Sequence, residues 1–317
     1  MKSLTRNETA AFLLQHDNFA IVTHRRPDGD TLGSAAVLCM GLRQLGKNAH
    51  ILQNPEITPK YAALHRGLTK DAIQDGDTVV TVDVASENML PGCFADLPFA
   101  LRIDHHGKAT SFTPCELVEP QAAACGEIIY GVLREMGAEL DIPMAEALYT
   151  AVSTDTGCFR YANTTASSFR VAADCAAAGA DIFAINQALF ETNTLGRLRL
   201  QGWLVENAIF LQGGKVVICP LPKKVEEDLG LTEDDLENIS GFPRTIEGVK
   251  IAATIRHEGE GVKLSVRAVP GCDAAAICAQ FGGGGHKGAA GASMKMTMDE
   301  AVKAVIAALP VIYKGFL

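Results

Sequence analysis

The first half of the chain alternates short apolar runs with segments whose apolar residues have helical spacing. Residues 19–23 form one such run, and after it apolar side chains recur every three or four positions from Leu32 to Leu45. Similar strand-like runs cover 78–85 and 98–103. Short strands that alternate with helices predict a mostly parallel sheet with helices packed on both of its faces. The N-terminal part of the chain is therefore expected to be an α/β domain.

The second half has a different pattern, which is typical of a smaller antiparallel domain. Strand-like residues 209–211 and 215–219 flank Gly213 and Gly214, a pair that favours a tight hairpin turn. A second pair of strands is predicted within 249–269. The overall prediction is an α/β protein with a catalytic metal-binding domain over 1–194, a helical linker over 195–210, and a smaller α/β domain with a largely antiparallel sheet over 211–317.

Composition limits the classes of protein to which the chain can belong. Its 317 residues contain 28 Lys and Arg and 37 Asp and Glu, so the formal net charge is −9. Proteins that bind long duplex nucleic acid through its phosphates usually carry a basic face, and this charge argues against that mode. The nine cysteines include no CxxC pair, and no stretch approaches the ~20 apolar residues of a membrane-spanning helix. We therefore expect a cytoplasmic protein with no membrane partner.

Three of the predicted strands end in ionisable residues. These are His24, Asp28 and Asp30 after the first strand, Asp83 in the second, and Asp104, His105 and His106 after the third. Ligands of open α/β sheets bind at the carboxyl ends of the strands, where such side chains converge. A further acidic residue, Asp155, stands where a predicted helix ends. The sequence therefore predicts a functional site at this edge of the sheet.

Each of these segments also has a simpler interpretation. The Pro-Asp-Gly-Asp sequence that holds the first two aspartates is a good turn by itself, and acids at helix ends such as Asp155 are usually cap residues. Asp83 lies in an otherwise apolar strand, where a carboxylate must be paired, hydrogen-bonded or coordinated. His105 and His106 are adjacent on an extended segment, so they are expected to point to opposite sides and to have different roles. The clusters together favour a site.

The residue types favour a pair of metal ions. Four carboxylates balance the charge of two divalent cations, and two neutral imidazoles add nitrogen ligands. This set consists of Asp28, Asp30, Asp83 and Asp155 with His24 and His105. Because it contains no thiolate, it suits Mn²⁺, or Co²⁺, Fe²⁺ or Mg²⁺, better than structural zinc.

Five motifs in this order resemble those of the DHH phosphoesterase superfamily. They are HxxxDxDxxGS from His24, VDVAS around Asp83, DHH from Asp104, TDTGxFRY around Asp155, and a C-terminal pair, SVR and FGGGGHKGAAG, that ends at Arg267 and Gly291. The C-terminal pair resembles the DHH-associated substrate domain. The whole chain is most similar to the NrnA-type branch, bifunctional oligoribonucleases that also act as phosphatases of 3′-phosphoadenosine 5′-phosphate (PAP).

The resemblance implies a role for each motif residue. The implied metal ligands are His24 and Asp28 for one ion, Asp30, His105 and Asp155 for the other, and Asp83 for both. The implied catalytic residues are His106, which would contact the scissile phosphate, its support Asp104, and the shared ligand Asp83. The implied cofactor is two divalent ions, Mn²⁺ with Mg²⁺ or Co²⁺ as alternatives.

The run of four glycines before His286 has two interpretations. Composition alone favours a flexible linker, whereas amides without side chains can also approach a phosphate closely. The run is not a Walker A loop, because Lys287 stands where that motif requires its second glycine. With the resemblance included, we predict a substrate-binding segment. The predicted substrate-binding residues are Arg160, Arg267, Gly283, Gly284, Gly285, His286 and Lys287.

The activity that the resemblance implies is hydrolysis of short oligoribonucleotides, including nanoRNA and pApA, to nucleoside 5′-monophosphates, together with dephosphorylation of PAP. A hydroxide activated by the metal pair would attack the phosphorus. Two alternatives stay open, a manganese-dependent inorganic pyrophosphatase-like hydrolase and a non-catalytic nucleotide-binding protein. Long duplex nucleic acid is not expected as a partner, and a homodimer is one of the oligomeric states left open.

Overall fold

The computed structural model describes residues 2–107 and 110–312, with side chains up to Ala308. Contacts within the chain divide it into two compact units, of which the first ends at Thr192 and the second begins at Asn193. Each unit has its own sheet and its own apolar core.

The first unit is built on a seven-stranded sheet in which neighbouring strands are parallel. Its strands are β1 (Lys2–Ser3), β2 (Phe19–Val22), β3 (Ala49–Leu52), β4 (Thr69–Lys70), β5 (Thr78–Val82), β6 (Phe99–Asp104) and β7 (Cys115–Val118). They lie in the order β1-β7-β6-β5-β2-β3-β4. The predicted α/β fold with a parallel sheet is confirmed, although the sequence pattern predicts only β2, β5 and β6.

The helices of the first unit are α1 (Arg6–Gln15), α2 (Gly29–Gln44), α3 (Cys125–Glu135), α4 (Ile142–Asp155), α5 (Ala166–Ala177) and α6 (Ile182–Asn186). Asp28 and Thr165 are the N-caps of α2 and α5, because their side chains accept hydrogen bonds from backbone N–H groups of the first turn. Gly46 and Gly137 follow the ends of α2 and α3 with φ angles of 77° and 83°, a left-handed conformation that favours glycine.

The interior strand β2 is covered by apolar residues on both faces of the sheet. All four of its residues are buried, and they alternate between the two apolar clusters on the opposite faces of the sheet. Phe19 and Ile21 pack with α2, whereas Ala20 and Val22 pack with the smaller cluster that includes Phe94. A strand covered on both faces is typical of a parallel sheet.

The order of strands changes direction between β2 and β5. From β2 the chain proceeds to β3 on one side, while β5, β6 and β7 follow one another on the other side. At such a switch point the loops that follow the adjacent strands leave a crevice at the carboxyl ends, where ligands bind. Because β2, β5 and β6 are neighbours here, the predicted strand-end residues emerge at the same edge of the sheet.

The second unit contains a six-stranded, mostly antiparallel sheet, which confirms the predicted largely antiparallel second sheet. Its strands are β8 (Ile209–Leu211), β9 (Val216–Leu221), β10 (Ile251–Glu258), β11 (Gly261–Ala268), β12 (Gly284–Gly285) and β13 (Ala289–Met294). They lie in the order β12-β13-β11-β10-β9-β8, with β9 and β10 as the parallel pair. The turn between β8 and β9 spans 212–215 and is longer than the predicted Gly-Gly turn, because Leu211 pairs with Val216.

The helices of the second unit are α7 (Leu195–Glu206), α8 (Lys223–Asp228), α9 (Glu233–Leu236), α10 (Ala274–Ala279) and α11 (Met298–Ile312). Helix α7 occupies most of the segment predicted as a linker, and its buried Leu200 and Leu204 pack in one cluster with Val217 of β9. Within residues 2–107 and 110–312, no helix combines the length and the apolar character needed to cross a membrane.

Candidate active site

The carboxyl ends of β2, β5 and β6 bring the predicted histidines and aspartates together. Asp83 follows β5 and lies between two imidazoles. Its Oδ2 is 3.6 Å from Nε2 of His24, and its Oδ1 is 3.3 Å from Nε2 of His105. Oδ1 of Asp28 is 3.7 Å from the same nitrogen of His24. Asp83 therefore faces one histidine from each of the two neighbouring strands.

A second set of carboxylates surrounds His105. Its Nε2 lies 3.8 Å from Oδ2 of Asp30 and 3.6 Å from Oδ2 of Asp155. Three groups of three residues could each hold a metal ion, because within each group the ligand atoms lie within 4.8 Å of one another. The groups are His24, Asp28 and Asp83; Asp30, His105 and Asp155; and Asp83, His105 and His106. The structure thus brings together all six residues predicted as metal ligands, and Asp83 belongs to two of the three groups.

The start of α2 positions two of these carboxylates. Oδ1 of the N-cap residue Asp28 accepts hydrogen bonds from the backbone N–H of Asp30 and of the next residue, at 3.1 and 3.2 Å. Asp30 in turn accepts from the hydroxyl of Ser34 at 3.0 Å and from the backbone N–H groups of Cys125 and Gly126 at 2.7 and 3.1 Å. Those last two residues begin α3, so a helix N-terminus, which favours negative charge, faces Asp30.

Asp83 is the most confined of the carboxylates. Its side chain is 4% exposed, its φ is 58°, and its backbone N–H donates to the carbonyl of Ile103 at 2.9 Å. Within the described part of the chain, its Oδ1 has no hydrogen-bond partner. A buried carboxylate oxygen without a donor is costly unless a cation compensates it, so these residues fit a divalent metal ion.

The charges in this cluster alter one another's protonation. Burial, together with the nearby charges of Asp83 and Asp155, raises the pKa of Asp30 well above its usual value. Burial also raises the pKa of Asp155 to about 7, aided by Asp83 and opposed by His105. Burial would lower the pKa of His105, but its pairing with Asp83 and the charges of Asp30 and Asp155 raise it to about 11. Three crowded carboxylates of this kind are stabilised by added positive charge.

Asp104 is completely buried and holds the ring of His106. Its Oδ1 accepts from Nδ1 of His106 at 2.8 Å and from the backbone N–H groups of His105 and His106 at 2.8 and 3.2 Å. The two imidazole rings lie 4.6 Å apart at 65°, so the expectation that they point to opposite sides is wrong. Both residues follow the end of β6, where side chains no longer alternate. Their different partners still separate their roles.

Arg160, predicted to bind substrate, is exposed in the segment that follows α4. Its Nε donates to the carbonyl of Gly157 at 2.6 Å. The other predicted substrate-binding residues belong to the second unit.

The glycine run forms part of a hairpin in the second unit rather than a flexible linker. Strand β12 pairs with β13. A Cβ atom on Gly283 would come within 2.2 Å of the carbonyl oxygen of Gly291, so only glycine fits there. The turn is closed at His286, whose N–H donates to the carbonyl of Ala289 at 2.8 Å.

The remaining predicted residues lie on or beside this hairpin. Arg267 is on β11, directly opposite Ala289 of β13. Lys287 is in the turn, where its carbonyl accepts a hydrogen bond from the N–H of Ala274 at 2.7 Å. The structure therefore places Arg267, His286 and Lys287 on or beside one short turn.

Sequence reasoning assigns no role to several residues that support the site. Ser34 could be recognised because it is four positions after Asp30 on a helix and so lies on the same face. Arg102 could be recognised as a charge in an apolar strand, two residues before Asp104. The amides of Cys125 and Gly126 have no side-chain signal, and only the packing of α3 reveals them.

Comparison with known proteins identifies the family. Residues 18–152 match the DHH family, N-terminal domain, and residues 213–310 match the DHHA1 domain. Over 91% of this chain and 88% of the relative, the sequence is 33% identical to the bifunctional oligoribonuclease and PAP phosphatase NrnA of Thermus thermophilus. The chain belongs to the DHH family. The resemblance drawn from its motifs is confirmed, and the protein is a DHH-family phosphoesterase.

Solved structures share the fold of this DHH-family chain. An exopolyphosphatase-related protein from Bacteroides fragilis matches 96% of this chain and 95% of its own with a TM-score of 0.87 and 24% identity. The exonuclease RecJ bound to manganese matches 100% of this chain and 96% of its own, with a TM-score of 0.52 and 14% identity. Both likenesses support the two-domain α/β architecture.

Proposed function

We propose that this DHH-family phosphoesterase hydrolyses short oligoribonucleotides, such as nanoRNA and pApA, to nucleoside 5′-monophosphates and also dephosphorylates PAP. The observation that carries the proposal is the position of Asp83, which is buried between the imidazoles of His24 and His105. The name of the Thermus thermophilus relative, a bifunctional oligoribonuclease and PAP phosphatase, supports this choice of substrates.

Two divalent cations are the proposed cofactor, with Mn²⁺ as the ion and Mg²⁺ or Co²⁺ as alternatives. The residues that would hold them are His24 and Asp28 for one, Asp30, His105 and Asp155 for the other, and Asp83 for both. Such a pair, when bound, supplies activation of water and neutralisation of phosphate charge. Two observations support this assignment, namely the mixed set of carboxylates and imidazoles and the buried Oδ1 of Asp83, which accepts no hydrogen bond from the described residues.

His106 is the proposed catalytic residue of the chain itself. Burial would lower the pKa of His106, but its hydrogen bond to Asp104 raises it, which favours the ring with a proton on both nitrogens. In that form Nδ1–H is donated to Asp104 and Nε2–H can be donated to a phosphoryl oxygen. Negative charge increases on that oxygen during the reaction, so a donor that is already oriented stabilises the transition state. Asp104 would keep the ring in this orientation.

Binding of the substrate is assigned to the positively charged residues and the glycine hairpin. Arg160, Arg267, His286 and Lys287 would pair with phosphates, and the amides of Gly283, Gly284 and Gly285 would approach them closely. Gly284 supports this assignment, because it is exposed and nothing lies within 4 Å of the position of its Cβ, which leaves room for a phosphate.

Product analysis tests the proposal. The purified protein is incubated with pApA, longer RNA oligomers, PAP or pyrophosphate in the presence of Mn²⁺, Mg²⁺ or Co²⁺, and the products are resolved by chromatography. We expect nucleoside 5′-monophosphates from the oligonucleotides and AMP from PAP. Asp83→Asn should be inactive, whereas Asp75→Asn, which changes an exposed aspartate, should retain activity.

Two other results would replace the proposal. Hydrolysis of pyrophosphate alone would indicate a pyrophosphatase-like enzyme. Tight binding of nucleotides without turnover under any of the three metals would indicate a non-catalytic nucleotide-binding protein.

The proposed location is the cytoplasm, because all nine cysteines are free, a state that a reducing compartment maintains. The net charge of −9 supports short substrates over long duplex nucleic acid. A homodimer stays a prediction, which light scattering of the purified protein would test.

A further inference from the structure

Strand β6 contains an arginine that is almost completely buried. The side chain of Arg102 is 2% exposed and stands opposite Glu116 of β7 in the parallel ladder. Its NH2 donates to Oε2 of Glu116 at 2.7 Å. A buried guanidinium is costly unless its donors and its charge are matched, so the other contacts of Arg102 decide what it does.

The second terminal nitrogen of Arg102 reaches the loop that follows Asp83. Its NH1 donates to the carbonyls of Val84 and Ala85 at 3.4 and 3.1 Å. The ring of Phe112 lies 5.7 Å from the guanidinium carbon. The guanidinium is therefore fixed by the strand beside it, by the loop after β5 and by an aromatic side chain.

This fixed guanidinium faces the carboxylate that holds His106. Its NH1 is 3.7 Å from Oδ2 of Asp104. The two oxygens of Asp104 are thus used differently, because Oδ1 accepts from Nδ1 of His106 at 2.8 Å while Oδ2 has no hydrogen-bond partner in the described part of the chain. Arg102, Asp104 and His106 form a continuous line from the interior of the sheet to the edge where the site lies.

We propose that Arg102 is a positioning residue that acts on the reaction through Asp104 and His106. By pairing with Oδ2 it fixes the Asp104 carboxylate, and the carboxylate then fixes the orientation in which the His106 ring meets the phosphate. The inference rests on the proposed function, in which His106 contacts the substrate. Partners that orient a site residue from behind typically change activity or metal affinity ~10- to 100-fold when removed.

Lysine is not an equivalent replacement at this position. The planar guanidinium reaches Glu116, two carbonyls and Asp104 at once, whereas an ammonium group on a flexible stem offers a single point of charge. Arg102→Lys should therefore restore only part of what Arg102→Met loses.

The kinetic test compares Arg102→Met, Arg102→Lys, His106→Ala and the double variant Arg102→Met/His106→Ala with saturating Mn²⁺ and pApA. We expect Arg102→Met to lower kcat about 10- to 100-fold with KM changed less than about threefold. In the His106→Ala background the same change should lower kcat by less than about threefold, because residues that act as a unit are not additive. Arg102→Lys should lie between the parent and Arg102→Met.

A matched control separates positioning from general destabilisation. Arg43 also donates to backbone carbonyls, those of Ala49 and Gly67, and it is exposed in the last turn of α2, at the opposite end of that helix from Asp28 and Asp30. Arg43→Met should lower the melting temperature but leave kcat unchanged. Metal content, measured by elemental analysis, should be the same in Arg102→Met as in the parent.

A readout that does not depend on activity follows the His106 ring directly. In protein labelled with ¹⁵N-histidine, the parent should show a protonated Nδ1 of His106 that is hydrogen-bonded to a carboxylate, together with a protonated Nε2. Arg102→Met should lose the hydrogen-bonded Nδ1 signal. If Arg102→Met does not fold, Arg102→Lys decides, with kcat expected to fall about 3- to 10-fold and again without additivity in the His106→Ala background.

Several results would overturn the inference. The first is a folded Arg102→Met or Arg102→Lys protein with the kcat of the parent. The second is a double variant in which the reductions of kcat caused by Arg102→Met and His106→Ala multiply. The others are loss of metal from Arg102→Met and an Arg102→Met protein with the same ¹⁵N signature of His106 as the parent. A parent protein that hydrolyses none of the phosphoesters would instead refute the proposed function, while the His106 signature would still decide whether Arg102 positions the ring.

Discussion

The carboxylate of Asp83 lies between two histidines, with one oxygen near each imidazole. Its left-handed backbone, with φ of 58°, turns the chain immediately after β5 and directs the side chain beyond the end of the strand. Aspartate tolerates this conformation better than most residues. One oxygen then faces His24 and the other faces His105. No other residue of the cluster is shared in this way between the histidines of two strands, among those that the structure describes.

Asp83→Asn should remove most of the activity. The amide keeps the size of the side chain but lacks the charge and one of the two acceptor oxygens that face the imidazoles. We expect kcat/KM for pApA to fall by more than about 100-fold, because even the loss of a partner that only orients a metal ligand costs ~10- to 100-fold. Steady-state kinetics and elemental analysis measure the two effects. A folded variant with parental turnover and parental metal content would contradict the shared role of Asp83.

The pKa of Asp155 predicts how the metal-free protein responds to pH. Its pKa is about 7 in the folded chain and 3.8 in the ordinary case, so between these values the folded state holds a proton that the unfolded state has released. Stability then falls as pH rises through this window. His105 acts in the same direction at higher pH, because its pKa is raised from 6.5 to about 11. The lowered pKa of Asp83 matters only below its ordinary value of 3.8.

Asp155→Asn tests this dependence. With EDTA present, the variant should be more stable than the parent at pH 8 by on the order of 1 kcal/mol, a value reduced for the partial exposure of the side chain. At pH 5 the difference should be much smaller, because the parent carboxyl is then mostly protonated. Chemical denaturation at the two pH values measures it. Equal differences at pH 5 and pH 8 would contradict the raised pKa of Asp155.

At the scale of elements, glycines allow three helices to approach closely enough to bring their acids together. A Cβ atom on Gly33 of α2 would lie 2.5 Å from the carbonyl oxygen of Ala147 in α4, and one on Gly126 of α3 would lie 2.8 Å from the Cβ of Ala151. Helix α2 carries Asp30 and helix α4 ends at Asp155. The close approach therefore sets the distance between these two carboxylates.

Gly33→Ala should destabilise the first unit and weaken metal binding. The added methyl group meets a backbone carbonyl, so α4 must move as a whole, and overpacking of this kind costs roughly 1–3 kcal/mol. Because α4 ends in Asp155, the affinity for Mn²⁺ should also fall. Denaturant unfolding and calorimetric titration with Mn²⁺ measure the two effects.

Gly202→Ala is the matched control for this substitution. Gly202 is exposed within α7, and nothing lies within 4 Å of the position of its Cβ. Alanine there should be neutral or stabilise the protein by up to about 1 kcal/mol, because glycine is a poor helix former. Equal effects of the two substitutions would show that helix propensity, not the packing of α2 on α4, controls the result.

The elements that the sequence predicts well are those whose signal is local. Strands β2, β5 and β6 are apolar runs, and α2 is bounded by the N-cap Asp28 and by Gly46. The two-residue strands β1 and β4 have no such pattern, because only their pairing with β7 and β3 defines them. Strand β7 includes Glu116, which pairs with Arg102 of β6. These two residues become neighbours only when the sheet forms, so the sequence alone does not show that the charge of Glu116 is neutralised.

The same distinction applies to the site. Ligand types at strand ends predict which residues meet, since carboxyl ends of parallel strands share an edge. The sequence does not predict that the rings of His105 and His106 lie side by side, because that depends on where β6 ends. It also does not predict the amides of α3 that bind Asp30, since backbone groups have no signature in the sequence.

At the scale of the whole molecule, two units with separate cores carry different kinds of chemistry. The first unit holds the buried acids and histidines, and the second presents Arg267, His286 and Lys287 on or beside one glycine hairpin. A protein with a net charge of −9 that acts on anionic strands needs positive charge placed locally. The proposed cations would supply it in the first unit, and these side chains would supply it in the second.

His286→Ala tests this division between the units. If His286 binds a phosphate of the substrate, its loss removes a hydrogen bond to a charged group, typically about 1.5 kcal/mol or more, which corresponds to about a tenfold rise in KM for pApA. The metal content and the affinity for Mn²⁺ should not change, because no predicted metal ligand lies in the second unit. His257→Ala, which changes an exposed histidine at the end of β10, is the control and should leave KM unchanged. Loss of metal from His286→Ala, or an equal rise in KM in both variants, would mean that the hairpin does not have a separate role in capturing the substrate.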